Sequence, residues 1–129
     1  MKKAANILAL VLLVVTTIVS CTKNNNVNST DNMIVGKWKC VNYSEPAGDY
    51  DLARVGSIWV FNSEGTLEFD TYHFNPSHIE HYSIAYTVTD KILVMQIPYE
   101  PLSFEITEIS KEKLVLDMGV FHYEFEKEN

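Results

Sequence analysis

The sequence has few of the residues that usually reveal a biochemical activity. Arg54 is its only arginine, which leaves little scope for the bidentate clamps that hold phosphate groups. Ten basic residues are outnumbered by seventeen acidic ones, so the formal net charge at pH 7 is −7. A surface of this sign disfavours nucleic acid and anionic lipid headgroups, both of which require clustered Lys or Arg. We therefore expect no nucleic-acid partner.

Motifs of catalysis and metal binding are also missing. No serine lies in a Gly-x-Ser-x-Gly elbow, and Cys40 has no marked histidine partner, so a hydrolase is not indicated. No His-x-His or Cys-x-x-Cys pair occurs. The sequence predicts no catalytic residue, no metal site, no cofactor and a protein that is not an enzyme. Four histidines are expected to be solvated loop and surface residues: His73, His78, His81 and His122.

The first 21 residues carry the most informative pattern in the chain. Lys2-Lys3 forms a short basic segment, residues 4–15 are apolar with one exception, and Ile18-Val19-Ser20-Cys21 places a small residue just before the cysteine. The apolar stretch is shorter than the ~20 residues of a membrane-spanning helix. The whole segment resembles a bacterial lipoprotein signal peptide.

This resemblance implies that Cys21 is a lipidation site. Its thiol would carry diacylglycerol, the chain would be cut between Ser20 and Cys21, and the acyl chains would hold the rest at a bilayer. Loss of residues 1–20 leaves eight basic and seventeen acidic residues, a formal charge of −9. The alternative is an ordinary secretory signal that leaves Cys21 as a free thiol. Because no Asp directly follows the cysteine, the resemblance favours the outer membrane, with the periplasmic face preferred to the cell surface.

Residues 21–32 are predicted to be a flexible tether behind this cysteine. After Cys21 they are rich in Asn, Ser and Thr, with Val27 as the only apolar side chain, and they cannot bury enough surface to become ordered. Lipidation of Cys21 would leave Cys40 without a disulfide partner. Cys40 follows Trp38 by two residues in an alternating stretch, which favours a buried apolar thiol over a reactive one.

From residue 33 to 129 the hydrophobicity alternates with period two, and no window shows a convincing helical period. This segment is expected to be one all-β domain. Its longest connections, over residues 43–50 and 74–81, are typical of the rim of a barrel mouth, where they would meet a partner or a ligand. The more common alternative is that their aromatic side chains cover the barrel ends. Eight strands are predicted: Val35 to Tyr43, Val55 to Asn62, Thr66 to Phe74, Ile79 to Val88, Ile92 to Ile97, Leu102 to Glu108, Lys113 to Met118, and Phe121 to Lys127.

Hairpin turns at residues 63–65, 90–91 and 110–112 bring the apolar residues to one face. The first turn requires Gly65 in the left-handed conformation. An apolar face common to all hairpins is hidden when the sheet rolls into a closed, eight-stranded, antiparallel up-and-down barrel. The predicted cross-strand pairs include Phe61 with Leu67, Tyr86 with Met95, Val88 with Leu93, and Ile106 with Leu116.

The first strand opens Ile34-Val35-Gly36-Lys37-Trp38, and Gly-x-Trp at this place in an eight-stranded meander resembles the lipocalin signature. Trp59-Val60-Phe61, Glu64-Gly65-Thr66 and Tyr123-Glu124-Phe125 add to a similarity with the small lipocalin-like domains attached to bacterial lipoprotein signals. The resemblance implies a barrel plugged at one end by Trp38. Lipocalins stack an arginine from near the C-terminus on this Trp, and here only Arg54 is available as a substitute.

Two functions follow from a lipocalin-like barrel at a membrane surface. The leading hypothesis is a non-enzymatic protein that binds a small apolar or amphipathic ligand in the barrel. The alternative is a barrel packed by its own side chains that engages an envelope protein, as an inhibitor or an assembly accessory. The predicted ligand-binding residues are those facing the interior: Trp38, Cys40, Trp59, Phe61, Phe69, Tyr86, Met95, Phe104 and Tyr123.

Overall fold

The computed structural model of the protein describes residues 30–129. The predicted signal peptide, the lipidation site at Cys21 and most of the predicted tether lie outside the described residues. Within residues 30–129, no helix is long and apolar enough to cross a membrane.

One helical turn and nine strands are formed by this part of the chain. The helical turn, α1, covers Thr30–Met33 and overlaps the end of the predicted tether. The strands are β1 (Gly36–Ser44), β2 (Tyr50–Asp51), β3 (Ile58–Phe61), β4 (Thr66–Phe74), β5 (Ser77–Thr89), β6 (Ile92–Met95), β7 (Leu102–Ile109), β8 (Lys113–Met118) and β9 (Phe121–Glu128).

Eight of these strands form a closed antiparallel barrel. From β3 to β9 each strand pairs with the next in sequence, and β1 completes the ring by pairing with β3 on one side and β9 on the other. Alternate side chains point inwards and pack into a single core, because one face of every strand is apolar. The predicted eight-stranded up-and-down barrel is therefore confirmed.

The barrel has two different ends. The closed end carries α1 and the turns at residues 62–65, 90–91 and 110–112. The other end, called the mouth below, carries the connections at residues 45–49, 52–57, 75–76, 96–101 and 119–120. Since the chain enters β1 at the closed end, the predicted tether joins the barrel opposite the mouth.

The turns of the closed end follow the predicted register. Gly65 has a φ of 90°, as expected. Asp90 and Lys91 have φ values of 53° and 67°, and two positive values in succession match the twist of a two-residue hairpin. The predicted cross-strand pairs are confirmed: Phe61 with Leu67, Tyr86 with Met95, Val88 with Leu93, and Ile106 with Leu116.

The mouth departs from the prediction in three places. The expected long loop over residues 74–81 is wrong, since Asn75 and Pro76 alone connect β4 to β5. Residues 77–81 belong to β5 but extend beyond the barrel, where all of them are exposed, so they lack the alternation that reveals a strand. The expected strand start at Val55 is also wrong, because residues 52–57 form a loop and β3 begins at Ile58.

The third departure is the short strand β2. It pairs with the end of β4, with Tyr50 opposite His73 and Asp51 opposite Tyr72. Two residues are too few to show a period in the sequence. After β2 the chain turns inwards, and Leu52 is buried beneath the mouth.

Two bulges change which side chains face the interior. The register of β1 with β9 shifts between Cys40 and Asn42, and that of β7 with β8 shifts between Ile106 and Glu108. A bulge adds one unpaired residue and so inverts the alternation of the strand beyond it. In β1 this inversion directs Glu45, the residue that follows the strand, towards the inside of the mouth.

Trp38 fills the closed end of the barrel. Its ring is fully buried, and its Nε1–H donates a hydrogen bond of 2.8 Å to the Ile34 carbonyl. Lys127 Nζ lies 4.5 Å from the centre of the Trp38 ring and donates to the Val35 carbonyl at 2.8 Å. Gly36 allows the Lys127 side chain to reach Trp38, because a Cβ at position 36 would collide with the Lys127 ammonium group.

The expectation that Arg54 stacks on Trp38 is wrong. Arg54 lies at the mouth, where its guanidinium group sits 4.6 Å from the Tyr72 ring and 3.0 Å from the Asp51 carboxylate. A cation over an aromatic face needs only a positive charge at the right place. Lys127 on the last strand supplies that charge.

Replacing Trp38 by Ala should lower the free energy of unfolding by about 3–5 kcal/mol, because it leaves a large cavity at the closed end. Chemical denaturation of the purified proteins measures the change. Tyr99→Ala is the control: Tyr99 is 97% exposed, so the change should stay within about 0.5 kcal/mol. A loss under about 1 kcal/mol for Trp38→Ala would contradict the packing described here.

Candidate functional site

All nine residues predicted to line the interior are buried in the barrel. Eight of them are at most 1% exposed, and Tyr86 is 8% exposed. Their inward orientation is therefore as expected, and they belong to one continuous core. They are Trp38, Cys40, Trp59, Phe61, Phe69, Tyr86, Met95, Phe104 and Tyr123.

Trp59 lies at the centre of this core. Its ring centroid is 5.0 Å from that of Phe125, 5.1 Å from Phe69 and 6.1 Å from Tyr123. These are contact separations for aromatic rings. Its Nε1 has no hydrogen-bond partner among the described residues. The centre of the barrel is thus filled by aromatic side chains.

Cys40 is a buried and unreactive thiol. It is fully enclosed in the core, and its Sγ lies 3.5 Å from the Asn42 carbonyl. Burial raises the pKa of Cys40 to about 11, so the thiolate that would act as nucleophile is not formed near neutral pH. The prediction of a buried apolar cysteine is confirmed.

A cavity of about 370 Å³ opens at the mouth. That volume is at the lower end of the range for small-molecule sites. None of the nine predicted ligand-binding residues lines it, so the sequence did not locate this space. Its walls combine apolar side chains, Leu52, Leu102, Met118 and Phe121, with the acidic groups Glu45, Asp49 and Glu100, and with Pro46, Ala47, Gly48 and Tyr50.

Glu45 is the most constrained charged group in this cavity. It accepts hydrogen bonds from the Tyr123 hydroxyl, from the Leu52 amide at 2.9 Å and from the Ala53 amide at 3.4 Å. Burial raises the pKa of Glu45 and outweighs the opposite effect of these donors. Burial and the neighbouring carboxyl group also raise the pKa of Tyr123, which keeps its hydroxyl a donor. The contacts hold residues 52–53 across the mouth.

A second group of polar side chains lies where the β4–β5 hairpin leaves the barrel. His73 and His78 are directly opposite one another, with ring centroids 4.5 Å apart and planes at 15°. The Glu80 carboxylate lies 3.4 Å from His73 Nε2 and 3.2 Å from His78 Nε2. Both side chains lie at the surface, as expected, but their pairing was not predicted. The pairing lies across two strands that the predicted loop over 74–81 kept apart, so it left no sign in the sequence.

His81 and His122 lie on the outer face of the sheet, each beside carboxylates. His81 Nδ1 is 2.7 Å from Asp70, and His122 lies 2.5 Å from Asp117 and 3.1 Å from Glu124. Hydrogen bonds to Asp70 and Asp117, respectively, are the main reason that the pKa values of the two histidines are raised. These two match the predicted solvated surface histidines.

A closed antiparallel barrel of eight strands, filled at one end by a tryptophan and open to a cavity at the other, is the architecture of a lipocalin-like barrel. The sequence model of the family described as lipocalin-like domain matches residues 34–116, and the chain belongs to this family. Ligand binding is typical of lipocalins, and the lipocalin-like family is generally non-enzymatic. No curated protein sequence matches the chain.

Two solved structures have the same fold. An uncharacterized protein from Bacteroides eggerthii DSM 20697 aligns with a TM-score of 0.54 and 16% identity over 73% of this chain and 98% of that chain. A lipocalin-like protein from Bacteroides uniformis ATCC 8492 aligns with a TM-score of 0.53 and 13% identity over 74% and 98% of the two chains. At these identities the similarity concerns the fold alone.

The contribution of the Glu45 carboxyl group to the free energy of unfolding should increase as the pH falls. Its pKa in the folded protein lies above the ordinary value of 4.5, so between the two values the folded chain binds more protons than the unfolded chain. This stabilisation is complete below about pH 4.5 and is lost as the pH rises through the folded-state pKa.

The free energy of unfolding at about pH 7 and about pH 5, for the wild type and Glu45→Gln, tests this effect. The wild type should gain stability on acidification relative to the variant. Histidine contributions cancel in the difference because both proteins share them. An identical pH dependence would show that the Glu45 carboxyl group is not held as described.

Proposed function

We propose that the protein is a lipid-anchored, non-enzymatic binding protein of the cell envelope that holds a small amphipathic molecule at the mouth of its barrel. The preferred ligand has an apolar body and a positively charged head. The mouth cavity of about 370 Å³ is the observation that carries the proposal.

The position of the ligand follows from where space is available. The nine inward-facing residues pack against one another, and the rings around Trp59 are in contact. The mouth cavity lies beyond these nine side chains and is walled by Leu52, Leu102 and Phe121. An apolar chain inserted there would be removed from water without displacing core side chains, which is favourable by roughly 25 cal/mol per Å² of apolar surface buried.

The charge of the head group follows from the cavity rim. Glu45, Asp49 and Glu100 surround the opening, and neither lysine nor arginine is among the lining residues. Carboxylates gathered in a cleft with apolar walls attract cations and repel anions. A primary amine or a quaternary ammonium group fits this rim better than a carboxylate or a phosphate does.

The attachment of the chain leaves the mouth accessible. Residues 30–36 enter the barrel at its closed end, where Trp38 is enclosed. A lipid on Cys21 would therefore hold the domain by the end opposite the cavity. This arrangement suits the capture of a molecule from the aqueous side of the membrane. We place the anchor in the outer membrane, on its periplasmic face.

Three probes with the same eight-carbon chain test the ligand class: octylamine, octanol and octanoate. Residues 22–129, which retain all nine strands of the described part of the chain, can be titrated with each probe by nuclear magnetic resonance. Octylamine should bind at least about tenfold more tightly than octanoate, a difference of about 1.4 kcal/mol, with octanol between them. Shifts should appear at Leu102, Met118 and Phe121.

A charge reversal at the rim provides the matched control. Glu100→Lys places a cation beside the cavity and should remove the preference for octylamine. Glu112→Lys makes the same change of net charge at the closed end, where Glu112 lies in the turn before β8, and should keep the preference. If all three probes bind equally, or none binds, the proposed ligand class is wrong.

An envelope-protein partner is the second candidate function. It is favoured by exposed apolar side chains at the same end of the barrel: Tyr50, Val55, Phe74, Ile79, Tyr99 and Val120. Exposed apolar side chains gathered at one end of a molecule are typical of interaction surfaces. Photo-crosslinks to a single envelope protein from position 99, and none from Val41 on the barrel wall, would favour this function over ligand binding.

The lipid anchor makes a separate prediction. Mass spectrometry of the protein expressed from its full-length sequence in a Gram-negative host should show a chain that begins at Cys21 and carries acyl groups. Cys21→Ser should lose partitioning into detergent, whereas Cys40→Ser should keep it, because Cys40 is enclosed in the core. An unmodified Cys21, or a Cys21→Ser protein that still partitions, would contradict the anchor.

A further inference from the structure

The β4–β5 hairpin brings three side chains with metal-binding chemistry to one face. Asn75 and Pro76 set the register, which places His73 opposite His78 and residue 71 opposite Glu80. Directly opposed residues of an antiparallel pair have Cβ atoms ~4.5–5.5 Å apart, and residues two positions apart on one strand share a face. The strand register therefore makes the two imidazoles and the carboxylate neighbours.

The ligand atoms of the three residues lie close together, and a turn of the two stacked rings would point both Nε2 atoms at one ion. Glu80 Oε2 lies 3.4 Å from His73 Nε2, and Glu80 Oε1 lies 3.2 Å from His78 Nε2. Two ligand atoms ~2.1 Å from a tetrahedral Zn²⁺ lie ~3.4 Å from each other. One ligand atom from each of the three residues can be chosen so that all lie within 4.8 Å of one another. We propose that His73, His78 and Glu80 form a binding site for a divalent transition-metal ion, with Zn²⁺ as the best match.

Neighbouring groups orient the imidazoles, and His73 Nε2 also contacts Thr71 Oγ1 at 3.0 Å, where an ion would take its place. His78 Nδ1 lies 2.7 Å from the Pro76 carbonyl, which can only accept, so Nδ1 carries the hydrogen and Nε2 faces the carboxylate. The His73 ring is stacked between the rings of His78 and Tyr50, at centroid distances of 4.5 Å and 5.1 Å. A hydrogen bond from the second ring nitrogen to a carbonyl is the usual support of a metal-binding histidine.

The carboxylate is supported as well. The Tyr82 hydroxyl donates to Glu80 Oε2 at 2.8 Å. The side chains of His78 and Glu80 are 42% and 46% exposed, and that of His73 is 19% exposed. An ion on this face would therefore be reached from solvent, and water would complete the coordination. Three protein ligands plus one water is a common arrangement around zinc.

The comparison with the other histidines supports the assignment. His81 lies beside Asp70 and Glu68, and His122 lies beside two carboxylates, so each of those groups offers a single imidazole. First-row transition ions prefer sites rich in imidazole, whereas carboxylate-rich groups suit Mg²⁺ and Ca²⁺. Only His73 and His78 are paired among the described residues.

Calorimetric titration with zinc chloride tests the site. The protein expressed from its full-length sequence, without an affinity tag and freed of metal with a chelator, should bind one equivalent of Zn²⁺ saturably. His78→Ala should weaken binding at least about tenfold. His81→Ala removes an imidazole from the opposite face of the same strand and should change the affinity by less than about twofold. Absence of saturable binding, or an equal loss in both variants, would overturn the proposal.

The visible spectrum of bound Co²⁺ reports on metal coordination, and circular dichroism reports separately on the fold. Co²⁺ in a tetrahedral site with two imidazoles has intense visible absorption, whereas Co²⁺ in water does not. The wild type and His81→Ala should show this absorption, and His73→Ala should lose it while keeping the far-ultraviolet circular dichroism of the wild type. A spectrum of aqueous Co²⁺ in the wild type would show that the three residues do not share an ion.

Discussion

The pairing of β1 with β9 is the constraint on which the rest of the domain depends. It joins the first and last barrel strands over the register from Lys37 opposite Glu128 to Ser44 opposite His122, and so turns an open sheet into a ring. Without it, the sheet would keep two unpaired edges, and its apolar face would be open to water. The same pairing places Lys127 beside Trp38, so the strand that closes the barrel also covers the tryptophan at its closed end.

Closure also determines where function can be located. A ring of eight strands has room for side chains or for one small ligand, and here the space is taken by Trp59 and the rings packed around it. The core therefore provides rigidity, and the distinctive chemistry lies at the mouth, where polar side chains are not displaced by core packing. There the bulge in β1 turns Glu45 inwards, and the chain after β2 is fastened to it by the Leu52 amide.

The two polar sites at the mouth are structurally connected. Tyr50 lines the cavity and also stacks on His73, which places the histidine pair next to the acidic rim. The hairpin that carries His73 and His78 extends beyond the ring, so its inward face is no longer covered by the opposite wall of the barrel. Polar groups can therefore gather on a face that is apolar further down the same strands, where Phe69 and Ile84 are buried.

Alternation, turn residues and Gly-x-Trp were sufficient to predict the barrel, the register of its closed-end turns and the side chains of its core. The hairpin registers and the inward-facing side chains depend on residues near one another in the chain, such as Gly65 in its turn. The cavity, the role of Glu45, the Lys127 contact and the pairing of His73 with His78 were not predicted. They depend on a bulge, on a two-residue strand and on contacts between distant strands. Such features leave no period in the sequence, and they exist only once the sheet has closed and set each strand against its neighbour.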